Sequence, residues 1–388
     1  MTIIYRTYEP GDEEHGLVEA FNLPFQGLGG GYLRTPKRIR WRYIDEPGAK
    51  PGEINVAVDG DTGKIVSAVY GTIEHYQFDG VQKKVGAIND VGTIPGYTGK
   101  GIARKLLVQA HAFMEAEECE FSVLSADANG FPRSRLYLPL GYQDFFKEGM
   151  YTSILGNDPS HRLLPALVAL QPALTFSWMA RSARIASIKR RLAQLDVAVQ
   201  QVVPKRDGLA PVRLSREIWA FHERVAPRQY DGATSISLDA WVHFREHPVG
   251  MDLAPVYVVI KMGGKIVGYS VFLPNWIHSF KTGMKFKLAS GHEFLVNHAV
   301  SHDPSIIADL YTLLAEESGA AADAASCLAM IFLLTPGDRP LERAFKTARF
   351  LNFPRGAFMI KPLGSNGPNI PCTSKIFLSG PGESFAYP

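Results

Sequence analysis

The stretch NDVGTIPGYTGKGIARKLL, from Asn89 to Leu107, combines a strand end, a glycine-rich loop and a helix start. An apolar, β-prone run leads into the loop, and apolar residues recur at helical spacing after it. Three glycines between Pro95 and Gly101 allow left-handed backbone angles and close approach of a ligand. The first N–H groups of a helix lack partners within the helix and favour an anion. The sequence therefore predicts a phosphate-binding loop.

Two common phosphate-binding motifs do not fit this loop. A Walker loop has Ser or Thr after its lysine, whereas Lys100 is followed by Gly101. A dinucleotide fingerprint has a third glycine where this chain has Arg104. The pattern that remains is V-x-x-x-P-x-x-x-G-x-G-I-A, from Val91 to Ala103. For the loop taken alone, a glycine-rich turn without a ligand is the alternative interpretation.

This pattern resembles the pyrophosphate loop of the GNAT superfamily of N-acetyltransferases, whose backbone amides hold acetyl-CoA at a helix start. Gly101 and Ala103 match the family's pattern, whereas Thr98 stands where the pattern has Arg or Gln. Because the amides do most of the binding, we expect this departure to weaken the diphosphate contacts only slightly.

A second stretch, SRLYLPLGYQDFF from Ser134 to Phe146, is similar to another signature of the family. In that signature a short helix carries a tyrosine and ends in Leu-Gly-aromatic before the next strand. Tyr137 falls on the tyrosine, and Gly141-Tyr142 falls on the Gly-aromatic pair. Both motifs lie in the N-terminal part of the chain, in the order that the family has.

The resemblance implies which residues would hold the acyl-CoA. They lie at the strand end, in the loop and at the helix start: Val91, Thr93, Thr98, Gly99, Lys100, Gly101, Ile102 and Ala103. Asn129 would order the cofactor or a water, although its spacing to Tyr137 is one residue longer than the family's.

The implied chemistry is direct attack of an amine on the thioester of acetyl-CoA. A backbone N–H between Val91 and Thr93 would bond the carbonyl oxygen. Tyr137 would be the general acid that protonates the departing thiolate. Asp90 is the only carboxylate on the strand before the loop and is our candidate proton acceptor, directly or through water. Its alternative role is that of a strand-end aspartate bonded to nearby backbone.

Composition and charge exclude several function classes. The 388 residues have ordinary apolar and charged fractions, which is typical of a soluble globular protein of two domains. A net charge of +3 is too small to indicate nucleic acid, a membrane or an acidic substrate. The three cysteines are far apart and form no C-x-x-C, so neither a disulfide framework nor a zinc site is predicted. The opening residues do not read as a signal peptide, and we expect a cytoplasmic protein.

The order of elements predicts a mixed α/β fold. Strands are expected at Thr2–Tyr8, Glu53–Val58, Lys64–Tyr76 and Phe121–Leu124, with helices between and after them. The turn Asp59-Gly60-Asp61-Thr62-Gly63 joins two of these strands as a hairpin. The GNAT resemblance implies a mixed, mostly antiparallel twisted sheet flanked by helices.

The second half of the chain repeats features of the first half. The segment Trp41 to Pro47 has a counterpart in Trp241 to Pro248, and Gly63-Lys64-Ile65-Val66 recurs as Gly264-Lys265-Ile266-Val267. Farther on, Leu140-Gly141-Tyr142 aligns with Leu351-Asn352-Phe353. Two copies of one fold are the economical explanation.

The second copy has lost the features that carry chemistry. Its strand leads into Ser301-His302-Asp303-Pro304-Ser305, which lacks the glycine loop, and this alignment puts Ala348 at the place of Tyr137. We therefore predict a degenerate, non-catalytic GNAT-like second domain.

One motif inside the repeat could indicate zinc. His243 to His247 reads H-x-x-E-H, which on a helix can place two imidazoles on one face. The same helix end in the first copy has Tyr43 and Pro47 at comparable places, where no metal could bind. We predict no metal site.

The chain is accordingly divided into four parts. They are a GNAT acetyltransferase domain at 1–156, a helical linker at 157–204, a degenerate GNAT-like domain at 205–364 and a tail at 365–388. The linker has an apolar segment followed by basic residues, so a helix that lies on a membrane surface is an alternative interpretation. Pro165 and Pro172 argue against a helix that spans the membrane.

The predicted function is acetyl transfer from acetyl-CoA to the amine of a small molecule or peptide. The alternatives are transfer of an aminoacyl or longer acyl group to a cell-wall or small-molecule acceptor, and non-catalytic binding of acyl-CoA. Nucleic acid and stable membrane insertion are not expected, and a homo-oligomer is left open.

Overall fold

A computed structural model describes residues 2–26, 33–155, 171–202, 212–246, 255–278, 283, 285–334 and 339–364. The predicted tail at 365–388, and with it the aromatic residues near the chain end, lies outside the described residues. So do residues 27–32, which are rich in glycine, and residues 157–170 of the predicted linker.

Long strands carry most of the architecture. The strands are β1 (Ile3–Thr7), β2 (Ile54–Asp59), β3 (Ile65–Phe78), β4 (Val81–Thr93), β5 (Phe121–Asp127), β6 (Gln143–Ile154), β7 (Val197–Val202), β8 (Ala233–Ser235), β9 (Val256–Met262), β10 (Lys265–His278), β11 (Lys285–Val296), β12 (Ala329–Leu334) and β13 (Leu351–Pro362). The helices are α1 (Val18–Gln26), α2 (Pro36–Ile39), α3 (Ile102–Ala116), α4 (Gln171–Arg191), α5 (Val212–Gln229), α6 (Leu238–Glu246), α7 (Pro304–Ala324) and α8 (Arg339–Thr347). Short helical turns at Arg40–Ile44 and Arg133–Tyr137 also matter for the site.

The strands form one continuous sheet in the order β1-β2-β3-β4-β5-β13-β6-β12-β11-β10-β9-β7, with β8 attached to β3. Most neighbours are antiparallel, but β4 pairs with β5 and β11 pairs with β12 in parallel. Each half of the sheet therefore has the same internal order, as the sequence repeat predicted.

The two halves exchange a strand. β13, from the end of the described chain, lies between β5 and β6, and β6 from the first half pairs with β12 of the second. The side chain of Met359 on β13 is fully buried in the same core as Ile102 and Leu106 of α3. The core around the predicted site is thus completed by residues that are distant in sequence.

Helix α4 packs on α7 through ion pairs. Arg181 and Arg184 both bind the buried carboxylate of Glu316, and Arg191 binds Asp309 at 2.6 Å. These basic residues therefore have partners within the protein. In the sequence they had allowed the alternative that the helix lies on a membrane surface. In the part of the chain that the structure describes, no helix is long and apolar enough to cross a membrane.

Candidate active site

The strands β4 and β5 separate at the place where the site was predicted. Their parallel pairing runs only from Val85 to Ile88 on β4 and from Phe121 to Leu124 on β5, although both strands continue further. On its other edge β4 stays paired with β3 as far as Thr93. Within the described residues, the edge of β4 from residue 89 to 93 therefore has no strand on the β5 side. Backbone groups of Val91–Thr93 can meet a ligand in this gap.

A β-bulge directs Asp90 away from the regular strand pattern. Tyr70 pairs with Asp90 but the next residue, Gly71, pairs with Ile88, which leaves Asn89 as an extra residue. The amide of Asn89 donates to Thr72 Oγ1 at 3.0 Å. A bulge of this kind re-aims the neighbouring side chain.

The glycine loop is open and precedes α3 directly. Gly96, Gly99 and Gly101 have φ angles of 91°, 76° and 74°, and a Cβ added at any of them would meet nothing within 4 Å. Gly101 is the N-cap residue of α3, and no side chain of the described residues caps the helix. The first amides of a helix without such a cap can bind an anion such as a diphosphate.

The other predicted cofactor residues differ in exposure. Thr98 and Lys100 are exposed, and Lys100 Nζ lies 5.0 Å from the ring centroid of Tyr97. Ile102 is buried in the core, so only its backbone can face a ligand. Asn129 is exposed beyond the end of β5, where its backbone N–H donates to the carboxylate of Asp127 at 2.9 Å.

Asp90 is buried in a cluster of charged and aromatic side chains. Its Oδ1 accepts a hydrogen bond from Arg34 Nη2 at 2.6 Å, and its Oδ2 accepts one from the hydroxyl of Tyr43. Arg42 Nη1 lies 3.8 Å from Oδ2. The side chain of Asp90 is only 1% exposed, and those of Arg34 and Arg42 are 6% and 5% exposed. A buried carboxylate held from both sides has a fixed orientation.

The hydroxyl of Tyr137 interacts electrostatically with the carboxylate of Asp90. Burial, and then the negative charge of Asp90, raise the pKa of the Tyr137 hydroxyl above its ordinary value. The structure therefore places the two residues that the sequence proposed for proton transfer within electrostatic range of each other. A hydroxyl with a raised pKa stays protonated at neutral pH, which is the state that a proton donor needs.

The sequence did not identify the residues that hold Asp90. Arg34 follows the glycine-rich sequence 27–31, and Tyr43 lies on the turn Arg40–Ile44. Both are far from Asp90 along the chain. The only signal was that Tyr43 belongs to a segment repeated in the second half. A buried arginine cannot be distinguished from a surface arginine by spacing alone.

The second half keeps the bulge but changes its side chain. Val271 pairs with Glu293 and Phe272 pairs with Gly291, so Glu293 corresponds to Asp90. Glu293 is buried and accepts a hydrogen bond from the hydroxyl of Tyr269 at 2.8 Å. At the start of α7 the carboxylate of Asp303 accepts from Ser305 N at 2.8 Å. This acidic cap repels a phosphate where Gly101 would admit one.

The counterpart of Tyr137 is Phe345, and the expectation of Ala348 is wrong. Tyr142 N donates to Tyr137 O at 3.2 Å, and Phe350 N donates to Phe345 O at 2.8 Å in the same way. The residues that precede Tyr142 and Phe350 both have left-handed backbone angles. The sequence alignment paired Tyr142 with Phe353, which lies three positions after its structural counterpart Phe350. Phenylalanine has no hydroxyl, so the second half lacks this proton donor.

The H-x-x-E-H segment is used for packing. His243 Nε2 donates to Trp41 O at 2.7 Å, and the two rings stack with centroids 5.9 Å apart. His247 lies outside the described residues. Among the residues that are described, no cluster of His, Cys, Asp and Glu could hold a metal ion.

Comparisons with known proteins agree with this geometry. Residues 14–143 match the acetyltransferase (GNAT) domain family. Two structures of Saccharomyces cerevisiae N-myristoyltransferase with bound myristoyl-CoA are 11% identical to this chain, with TM-scores of 0.65 and 0.67. The matches cover 94% and 97% of this chain and 80% and 89% of those chains.

A further structure is a conserved protein of unknown function from Enterococcus faecalis V583, described as a probable N-acyltransferase. It is 12% identical with a TM-score of 0.53, over 94% of this chain and 73% of that chain. No curated protein matches the sequence. Because the structural likeness spans nearly the whole chain, it confirms the mixed α/β fold with two GNAT-like halves.

Proposed function

We propose that this chain, which carries a GNAT acetyltransferase domain in residues 14–143, transfers an acetyl group from acetyl-CoA to an amine. The observation that carries the proposal is the gap between β4 and β5, with the open glycine loop following β4 and Tyr137 within electrostatic range of Asp90 on β4. The diphosphate would bind the amides at the start of α3. Residues Val91 and Thr93 would offer backbone N–H groups to the thioester.

The Asp90 cluster favours a short acyl group. Asp90 directly precedes Val91, so a thioester held at the backbone of Val91 would lie in the neighbourhood of Asp90 and of its partners Arg34 and Tyr43. These side chains have exposed fractions of a few per cent, and Asp90 and Arg34 form a buried ion pair. A long alkyl chain placed against buried ions would separate them from their partners, which is costly. An acetyl group needs little room and leaves these contacts intact.

The proposed reaction forms a C–N bond and breaks the C–S bond of the thioester. The amine nitrogen attacks the carbonyl carbon, while backbone N–H groups of β4 bind the developing oxyanion. Tyr137 gives its proton to the departing thiolate. Asp90 takes the proton that the amine loses, directly or through a water molecule. Small amines and peptide amines are the acceptors that we propose.

The two parts at 1–156 and 205–364 remain our proposal for the ancestral copies. The predicted linker at 157–204 is too long, because β7 (Val197–Val202) pairs with β9 and belongs to the second copy. Only the first copy would bind acyl-CoA, because the second has Asp303 at the helix start and Phe345 at the place of Tyr137. A cytoplasmic location is also proposed, because the three widely spaced cysteines indicate no disulfide framework, and a homo-oligomer is left open.

Calorimetric titration with acetyl-CoA tests the loop. We expect one site per chain, and we expect Gly101→Glu to abolish it, because a carboxylate would occupy the place of the diphosphate. Gly264→Glu is the matched control, since Gly264 has φ 75° and, like Gly101, no atoms near an added Cβ. Unchanged affinity in Gly101→Glu would refute the loop assignment. Tight binding of myristoyl-CoA together with no binding of acetyl-CoA would refute the short acyl group.

A further inference from the structure

A chain of hydrogen bonds runs beside the proposed general acid and ends on the last strand. Lys361 Nζ on β13 lies 3.0 Å from His111 Nδ1, and His111 Nε2 lies 2.9 Å from the hydroxyl of Tyr142. That hydroxyl lies 2.6 Å from Ser122 Oγ. His111, Tyr142 and Ser122 are buried, with exposed fractions of 4%, 2% and 0%. Nothing in the proposed reaction accounts for this chain.

The charge of Lys361 decides the donor in both hydrogen bonds of His111. An ammonium group has donors and no acceptor, so Lys361 donates to His111 Nδ1. The neutral imidazole then carries its proton on Nε2 and donates it to the hydroxyl of Tyr142, which is also hydrogen-bonded to Ser122 Oγ. Burial, and the nearby charge of Lys361, lower the pKa of His111 to about 3, so the ring is neutral at physiological pH. Each buried group has a partner.

This series of hydrogen bonds fixes the ring of Tyr142, which packs against Tyr137. The rings of Tyr142 and Tyr137 meet edge to face, with centroids 6.0 Å apart, and Tyr142 N donates to Tyr137 O at 3.2 Å. The stem of Lys361 passes Gly141, whose added Cβ would lie 3.8 Å from Lys361 Cε. Gly141 directly precedes Tyr142, so Lys361 lies beside the backbone that leads into Tyr142 as well as beside His111. The anchor of Tyr137 thus includes a residue from the exchanged strand.

We propose that Lys361 is a positioning residue, which acts through His111 and Tyr142 to hold the Tyr137 hydroxyl where the thiolate departs. This inference rests on the proposed function and adds a residue of the second half of the chain to the active site. It explains why a buried histidine on α3 faces a lysine of β13. It also gives the exchanged strand a role in catalysis besides packing.

The test compares Lys361→Met with the wild type and with Lys361→Arg. Methionine keeps the stem beside Gly141 but removes the donor, whereas arginine can still donate to His111 Nδ1. We expect kcat to fall about tenfold in Lys361→Met with KM for acetyl-CoA unchanged, since a small displacement of a catalytic group lowers the rate. Lys361→Arg should recover most of this loss. Lys261→Met, at a partly buried lysine on β9, is the matched control and should have no effect.

Nitrogen-15 NMR of labelled histidine supplies a readout that does not depend on turnover. In the wild type, His111 should show a protonated Nε2 and an unprotonated Nδ1, with the signal assigned by its absence in His111→Gln. The shift of Nδ1 should change in Lys361→Met and stay nearly constant in Lys361→Arg. If Lys361→Met does not fold, Tyr142→Phe keeps the ring, removes the hydroxyl and should lower kcat in the same way.

Two results would overturn the inference. One is that the wild type is active and Lys361→Met has the same kcat as the wild type. If Lys361→Met does not fold, the same comparison is made with Tyr142→Phe. The other is a wild-type His111 with its proton on Nδ1. An inactive wild type that does not bind acetyl-CoA would instead refute the proposed function, so the two failures are distinguishable.

Discussion

The strand exchange predicts that a mutation near the end of the described chain weakens the acyl-CoA site. The change is Met359→Ala on β13. Met359 is fully buried in the core that also contains Ile102 and Leu106 of α3. The amides at the start of α3 are the proposed diphosphate site, so loosening this core should loosen the site.

The magnitude follows from the burial of the side chain. Replacing a fully buried methionine by alanine costs about 2–5 kcal/mol, because transfer energy is lost and a cavity remains. Total stabilities of proteins are about 5–15 kcal/mol, so the change removes a substantial part. Phe353→Ala, on the same strand but 45% exposed, is the control and should cost about 0.5 kcal/mol.

Native-state hydrogen exchange is the appropriate assay because it reports each helix separately. In Met359→Ala the protected amides of α3, residues 102–116, should lose about 2–5 kcal/mol of protection. Phe353→Ala should leave them unchanged. If α3 keeps its full protection in Met359→Ala and only the second half exchanges faster, then the first half is stable without β13 and the reasoning is wrong.

Two further predictions concern buried charges. Burial raises the pKa of Glu46 to about 8 and that of Glu53 to about 7, from 4.5 in the unfolded chain. The folded protein therefore binds more protons than the unfolded chain in this range, so the free energy of unfolding should fall from pH 5 to pH 8.5. Glu46→Gln should make this fall with pH less steep, and denaturant titrations at each pH measure it. Tyr43→Phe removes a hydrogen bond to the carboxylate of Asp90 and should cost about 2 kcal/mol of stability. It should also lower kcat without changing the affinity for acetyl-CoA in calorimetry, and a wild-type kcat would show that Tyr43 does not orient Asp90.

Local patterns predicted the elements well because their causes are local. The glycine loop and the helix after it depend on left-handed angles at Gly99 and Gly101 and on apolar spacing, and both are visible in the sequence. The hairpin between β2 and β3 follows from its turn residues in the same way. The prediction that residues 89–107 form a strand, a loop and a helix is confirmed.

Long-range pairing could not be predicted in this way. No local pattern in the sequence indicates that β13 pairs with β5 and β6. From the sequence alone, each half could equally have kept its own last strand. The partners of Asp90 were missed for the same reason, because Arg34 is 56 residues away and Tyr43 is 47 residues away. The counterpart of Tyr137 was misplaced because the alignment used residue identity, whereas the backbone turn decides the register.

The retained bulge at Glu293 suggests why the second half persists without the acetyl-CoA features. A bulge leaves ladder groups unpaired and exists at a cost, so its presence in both halves points to a common origin. In the second half, Tyr269 and Glu293 satisfy each other inside a packed core. This half also holds β6 against β12 and delivers β13 beside β5. Removing it would therefore take away one wall of the first half's core, together with Lys361. The degenerate copy is thus a structural part of the proposed active site.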